Sequence, residues 1–296
     1  MLKFKNIFVF FICVFGFLFF IFDFCQAAIL YFEPSAGEYH QNDTFIIEAR
    51  IDTQGEYINT IEANLTFSEE VLEIKDFSKG DSILSLWVDE PKFSEGILSF
   101  TGGIPGGYQG KDGLLVKIIF QAKNTGFAEI KFLDSSKVLL NDGKGTKAKS
   151  EIRKGTYNIL RGEEMVKNEW QEEISKDKTP PQPFTIEINQ DPLIFEGEYF
   201  ITFSTIDKET GIDHYEIREG NRDWKAANSP YVLENQKLMA TIWVKAIDKA
   251  GNYWIESIKF SQKLRWIIYG ILGLLSLIFI FVIMKIIRPK IKKLPK

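Results

Sequence analysis

The chain has 296 residues, with 36 Lys+Arg against 40 Asp+Glu, a formal charge of −4 and 45% apolar side chains. That length accommodates about two domains, each with its own core. Between residues 28 and 263 lie 27 basic and 39 acidic side chains, a balance of about −12 that argues against nucleic acid or an anionic lipid surface as partner.

Residues 1–27 begin Met1-Leu2-Lys3-Phe4-Lys5, run apolar from Ile7 to Phe22 and end in Cys25-Gln26-Ala27. A basic start, an apolar middle and small residues at the end predict a secretory signal peptide, cleaved after Ala27; a retained anchor is the alternative. The only two cysteines, Cys13 and Cys25, fall inside it. The exported part therefore has no disulfide, and its domains must stand on their own cores.

From 28 to 160 the apolar pattern has period two. In Thr60-Ile61-Glu62-Ala63-Asn64-Leu65-Thr66-Phe67 every odd position is apolar and every even one polar, which predicts a strand with one dry and one wet face. Leu114, Val116, Ile118, Phe120 and Ala122 repeat the pattern, and shorter runs at Phe45 to Ile51, Val71 to Ile74, Ile97 to Phe100, Glu129 to Leu133 and Val138 to Leu140 alternate with Gly, Asn, Asp and Ser turns. Short strands at this spacing predict a β-sandwich. The glycine-rich stretch Gly102 to Gly113 resembles a phosphate loop in composition only. It leads into a strand, where a phosphate site needs a helix N-terminus, and it lacks the Lys-Ser/Thr ending. Its glycines read as positive-φ turn residues joining two strands.

Residues 161–183 are charged and then proline-rich, a linker with some helical character. A second β pattern fills 184–262, with Tyr199-Ile201-Phe203, Tyr215-Ile217 and Ile242-Val244-Ala246 as inward sets. Residues 265–285 include an uncharged apolar run from Trp266 to Met284, followed by a basic tail over 286–296. This predicts one transmembrane helix with the tail in the cytoplasm and everything before it outside, a single-pass type I arrangement at the cell membrane.

Three stretches carry a resemblance: INTIEANLTFSEEVLEI, DGLLVKIIFQAK and SSKVLLNDGKGTKA, in that order, resemble the cohesin domain, the receptor module of cellulosomes, over roughly Ile29 to Asn158. The resemblance implies an all-β, nine-stranded jelly-roll sandwich that binds a dockerin domain without catalysis, or a carbohydrate-binding relative. The stretches around Gly211, Pro230 and Asn252 resemble bacterial surface immunoglobulin-like repeats, which implies a smaller Ig-like or fibronectin-like sandwich acting as spacer. Since cohesin partners dock on the sheet that includes the strand matching Thr60 to Phe67, its wet face, Thr60, Glu62, Asn64 and Thr66, is the first candidate docking surface. Trp87 and Tyr108 are candidate aromatic anchors for a protein or a sugar ring, with core packing the alternative for Trp87.

No cofactor, metal or catalytic residue is expected. His40 and His214 fall in separate domains. Glu69 and Glu70 point to opposite faces if they lie on a regular strand, so they cannot flank one glycosidic bond. Asn141 to Gly145 reads as a turn because the acidic residues of a calcium loop are missing at Val138 and Lys149. Asp207, Asp213 and Asp248 are the one group that can meet around an ion, against the simpler reading of turn aspartates. The expected function is a membrane-anchored surface protein that binds a dockerin-like protein or a polysaccharide noncovalently, with a carbohydrate-binding adhesin or a purely structural surface protein as alternatives.

Overall fold

A computed structural model describes residues 27–162, 165–260 and 263–291, with side chains of the last helix from 269 to 283. The expected signal peptide lies outside the described residues. The chain divides into two compact units, the first comprising Met1–Pro181 with the loops Ile206–Ile212 and Asp248–Asn252, the second the rest.

The first unit holds β1 (Ala28–Glu33), β2 (Ala36–His40), β3 (Thr44–Asp52), β4 (Ile58–Phe67), β5 (Leu72–Ser78), β6 (Leu86–Ser94), β7 (Ile97–Tyr108), β8 (Gly113–Ala122), β9 (Gly126–Phe132), β10 (Lys137–Leu140), β11 (Ser150–Ile152), β12 (Gly155–Leu160) and helix α1 (Glu169–Lys176). One sheet has the order β11-β1-β3-β8-β5; the other runs β2-β12-β9-β4-β7-β6 with β10 also paired to β4. These are twelve strands where nine are expected. The extra ones are short edge pieces, including β11 and β2, which join β1 and β12 by parallel pairing.

Alternation builds the core between these sheets. Ile61, Ala63 and Leu65 of β4 and Leu98 and Phe100 of β7 are buried against Phe45 and Ile47 of β3 and Ile118 and Phe120 of β8. β8 departs from the simple alternating picture, because Leu115 and Ile119 on its nominally wet side are buried too. Helix α1 explains Ile119: Trp170 and Ile174 pack on Ile46 and Ile119, covering the outer face of the five-stranded sheet. The segment expected to be a linker is thus a fastened element. Asn168 caps the helix by accepting the Gln171 N–H at 2.9 Å, the Glu169 carboxylate accepts the Ile46 N–H at 3.1 Å, and Lys117 pairs with Glu173 at 2.9 Å.

The glycine-rich stretch is only partly a turn. Gly102, Gly103, Gly106 and Gly107 all sit inside β7; a β-carbon at Gly102 would lie 2.9 Å from the Leu84 side chain, and Gly106 and Gly107, near the strand's end, take positive φ, +88° and +79°. Tyr57 donates to the Gly106 carbonyl, and the Thr53 N–H to Gly110 at 2.8 Å, which ties the loop to the β3–β4 turn. Glu69 and Glu70 lie on the turn before β5 and not on a strand, so alternation does not decide where they point. Asn141 to Gly145 is a turn as expected, with Asp142 accepting from Lys144 N–H at 2.8 Å and from the Thr146 hydroxyl.

The second unit carries β13 (Ile186–Asp191), β14 (Ile194–Phe203), β15 (Ile212–Glu219), β16 (Lys225–Ala227), β17 (Tyr231–Val232), β18 (Ile242–Asp248) and β19 (Tyr253–Ile258) in sheets β13-β14-β17 and β16-β15-β18-β19. Of the inward sets, Ile201, Phe203, Ile217, Ile242, Val244 and Ala246 are buried, while Tyr199 and Tyr215 are half-buried. Helix α2 (Lys263–Ile291) ends the described chain. Among the described residues no helix is long and apolar enough to cross a membrane, so the expected span at 265–285 is not upheld there. Its described side chains, Tyr269 to Ile283, are exposed and, apart from Ser276 and the two glycines, apolar.

Because Trp170 seals an apolar patch that would otherwise face water, Trp170→Ala is expected to cost about 3 kcal/mol of first-unit stability, read as a lowered urea midpoint. An unchanged midpoint would mean α1 is not docked on Ile46 and Ile119.

Candidate functional site

The register of the seven-stranded sheet determines what its outer face presents. Thr60 of β4 stands opposite Gly103 of β7, and Gly103 opposite Leu86 of β6; Glu62 lines up with Thr101 and Asp89, and Asn64 with Ser99 and Lys92. On the other side of β4, Lys137 of β10 lies across from Glu62, Leu139 from Thr60, and Lys131 of β9 from Thr66. The centre of this face is therefore low: Ser99, Thr101 and Gly103 form a shallow strip between the taller side chains of β4 and β6. Its β6 rim is mixed, with Leu86 56% exposed beside the exposed charges of Asp89 and Lys92, while Val88, at the register shift, is 68% exposed; Phe127 on β9 is 63% exposed. The face contains ion pairs: Lys137 to Glu62 at 2.6 Å and Lys154 to Glu129 at 2.6 Å, the latter lowering the Glu129 carboxyl below its usual range through the Lys154 hydrogen bond.

Thr60, Glu62, Asn64 and Thr66 thus share one face of β4, each half-buried. Trp87 and Tyr108 do not join them. Trp87 turns to the core side, its ring 6.0 Å from that of Phe100 with the Lys79 ammonium 5.6 Å away. Tyr108 also packs on the core, at the end of β7 opposite Ile58, and burial followed by the nearby Asp112 raises its phenol pKa. The residues that complete the outer face, Ser99, Thr101, Gly103, Leu86, Asp89 and Lys92, were not singled out by sequence. The β7 pattern Leu98-Phe100 in, Ser99-Thr101 out was readable, whereas β6, interrupted by register shifts between Trp87 and Asp89 and between Asp89 and Lys92, was not.

A second cluster lies in the first unit. Asp177, Asp207 and Asp248, each at most 3% exposed, bring carboxylate oxygens within 4.8 Å of one another. The sequence grouping of Asp207 with Asp248 holds, but Asp213 is elsewhere, exposed and 2.6 Å from His214, and Asp177 at the end of α1 takes its place. Oδ1 of Asp207 accepts the N–H groups of Glu209, Thr210 and Gly211; Asp177 accepts the Thr210 hydroxyl at 2.5 Å; and the Asn252 amide donates to Asp248 at 3.0 Å. Among the described residues no lysine or arginine pairs with any of the three. Three all-oxygen groups of this kind can hold a hard divalent cation. Without one, desolvation, followed by the charges of Asp177 and Asp248, raises the Asp207 pKa.

No protein-family model and no curated protein matches the chain. Solved structures similar to it are cohesin modules. A non-cellulosomal cohesin from Archaeoglobus fulgidus is 17% identical over 45% of this chain and 90% of that one, with TM-score 0.38. The sixth cohesin of Acetivibrio cellulolyticus scaffoldin B, in complex with a Cel5 dockerin, is 16% identical over 46% and 100%, with TM-score 0.38. A type III cohesin module from a cell-surface anchoring scaffoldin of Ruminococcus flavefaciens is 13% identical over 45% and 87%, with TM-score 0.34.

Because the folded pKa of Asp207 lies above its unfolded value, its contribution is fully present below the ordinary carboxylate range, near 3.9, and is lost as pH rises through the folded value. In chelator, Asp207→Asn, which keeps the acceptor oxygen and removes the charge, is expected to raise the neutral-pH melting temperature and flatten its pH dependence above pH 4. A lower melting temperature for the variant at neutral pH in chelator would contradict this.

Proposed function

We propose that the first unit is a passive docking head whose outer seven-stranded sheet face binds a dockerin-like protein module noncovalently. The observation that carries this reading is the register of β4, β7 and β6, which lays a low strip of Ser99, Thr101 and Gly103 between Thr60, Glu62, Asn64 and Thr66 on one side and Leu86, Asp89 and Lys92 on the other. From Thr60 to Thr66 the face runs on the order of 20 Å along the strand. A shallow centre of small side chains between taller rows suits one side of a partner helix. The partner class comes from the resemblance of the three sequence stretches. No catalytic step belongs to this reading.

A polysaccharide is less well served by this face, because the strip itself carries no ring among the described residues and the exposed Phe127 stands apart from it. Display from a membrane belongs to the same proposal. The apolar run from Trp266 to Met284 and the basic residues after it support it, as does the exposure of the described apolar side chains from Tyr269 to Ile283. The second unit then serves as the immunoglobulin-like spacer.

The test is binding of the full chain to a panel of dockerin domains, with Thr101→Arg raising a bulky cation in the centre of the strip and Glu151→Lys as an exposed control on the other sheet. The expected result is binding by wild type and control and at least a tenfold loss for Thr101→Arg at unchanged melting temperature. Binding to no dockerin, or equal binding by Thr101→Arg, would overturn the proposal.

A further inference from the structure

The β13–β14 hairpin closes on Asp191-Pro192-Leu193-Ile194-Phe195-Glu196-Gly197. Asp191 pairs with Ile194, so Pro192 and Leu193 form the turn, and the register shift after Gln190 leaves Phe195 to Glu198 as a bulge in which Phe195, Glu196 and Gly197 take φ of +50°, +57° and +79°. Turn positions of this kind ordinarily hold Gly, Asn or Asp. Here they hold apolar side chains and expose them: Leu193 is 94%, Ile194 44% and Phe195 39% exposed. The tip is nonetheless fixed. Asp191 accepts the Leu193 N–H at 2.8 Å, the Gln190 amide donates to the Gly197 carbonyl at 2.9 Å, and the Phe195 ring packs edge-on against Phe200 with 5.1 Å between centres. Neither Leu193 nor Ile194 belongs to the buried core, and an ordered run of exposed apolar residues is a cost in water that calls for a partner.

Hydrogen bonds fix which end of the second unit carries this tip. Gln236 accepts the Tyr199 N–H at 2.7 Å and donates to the Tyr199 carbonyl at 3.0 Å, on the tip side of β14. Glu219, the last residue of β15, accepts the N–H groups of Glu234 and Asn235 at 2.8 Å each; Gly220 donates to the Thr241 carbonyl at 2.8 Å; and Ile242 of β18 pairs with Ile258, the last residue of β19. The other end of β14 is tied elsewhere, with Phe203 bonded to Ser229 and Thr205 to Tyr215 and Gln182. The apolar tip and the exit of β19 toward α2 therefore share one end of the unit. Five residue steps separate Ile258 from the start of α2 at Lys263, at most roughly 18 Å of extended chain. The tip projects on the order of 10 Å beyond Tyr199.

We infer that the β13–β14 tip is a second membrane contact, seating Leu193 and Ile194 in the interface of the bilayer that α2 enters. The inference rests on the membrane-display reading of α2 given above. Two or three apolar side chains are too few to hold a free protein on a bilayer, but once α2 is inserted the contact is intramolecular, and the short connection keeps the tip within reach of the surface. Asp191, Glu196 and Glu198 surround the tip, so its contact is apolar and suits a zwitterionic surface in place of an anionic one. A second copy of the chain is a poorer occupant: three side chains bury far less than the roughly 800 Å² per partner of a stable interface. Held at both helix and tip, the second unit cannot swivel freely over the bilayer.

The experiment places a nitroxide at one site at a time, through Leu193→Cys, Ser204→Cys or Ser276→Cys in the full chain carrying Cys13→Ser and Cys25→Ser, reconstituted at low density in phosphatidylcholine bilayers. Power-saturation EPR then reads collisions with oxygen and with a water-soluble nickel chelate. Ser276, within α2, reports the display reading itself, and the exposed Ser204, just past the far end of β14, reports bulk water. The inference expects the Ser276 site to be shielded from nickel, and the Leu193 site to meet nickel about fivefold less often than the Ser204 site while meeting oxygen at least as often. A Ser276 site open to nickel would overturn the display reading and the inference with it. A shielded Ser276 site beside a Leu193 site as open to nickel as Ser204 would overturn the inference alone. Low collision rates with both reagents at Leu193 would mean that protein covers the tip, and would overturn it too.

Discussion

The two-residue repeat of an extended chain governs the first unit. Ile61, Ala63 and Leu65 can reach the space between the sheets only if Thr60, Glu62, Asn64 and Thr66 face away from it, so the burial that stabilises β4 also dictates what β4 presents on its outer face. Pairing carries the consequence sideways. Once Leu98 and Phe100 of β7 enter the same core, Ser99 and Thr101 must stand beside Asn64 and Glu62, and a one-residue slip would exchange the two sets. Core burial and the make-up of the outer face are here one constraint seen from opposite faces of a sheet.

The two sheets treat their outer faces differently. On the five-stranded sheet Ile46 and Ile119 are covered by Trp170 and Ile174 of α1, whose first turn is held by Asn168 and by the Glu169 contact to Ile46. On the seven-stranded sheet the outer face is small and polar at its centre, with Leu86, Val88 and Phe127 exposed. One face is thus closed by the chain itself, and the other stays open. The second unit repeats the theme with a different chemistry: its outward face is occupied by stacked cations and rings that hold one another in place.

What the sequence made readable follows from the range of the interactions involved. β4, β9 and the inward sets of β14, β15 and β18 announce themselves because alternation is local. Strand β6 does not, since Pro91 and two register shifts break its period, and its pairing with β7 is settled by distant contacts. The parallel partners β2 and β11 have no local mark of their pairing, and Leu115 and Ile119 look like incidental apolar residues until a segment some fifty positions later covers one of them. The acidic cluster shows the same limit: Asp207 and Asp248 were grouped by residue type and turn context, but Asp177 stands in a stretch whose composition reads as linker, and only the fold brings it near. Trp87 and Tyr108 illustrate the converse. An aromatic residue near a loop looks available in sequence, yet both rings lie on the core side, where their apolar area is of more use.

The central claim, that recognition occurs on the outer face of the seven-stranded sheet, is tested most directly by cross-saturation NMR of the labelled chain with an unlabelled dockerin partner. The account predicts attenuation at Glu62, Asn64, Ser99, Thr101 and Val88, with none at Glu151 or along α1. Attenuation centred on α1 and the five-stranded sheet, with the β4 and β7 signals untouched, would contradict it.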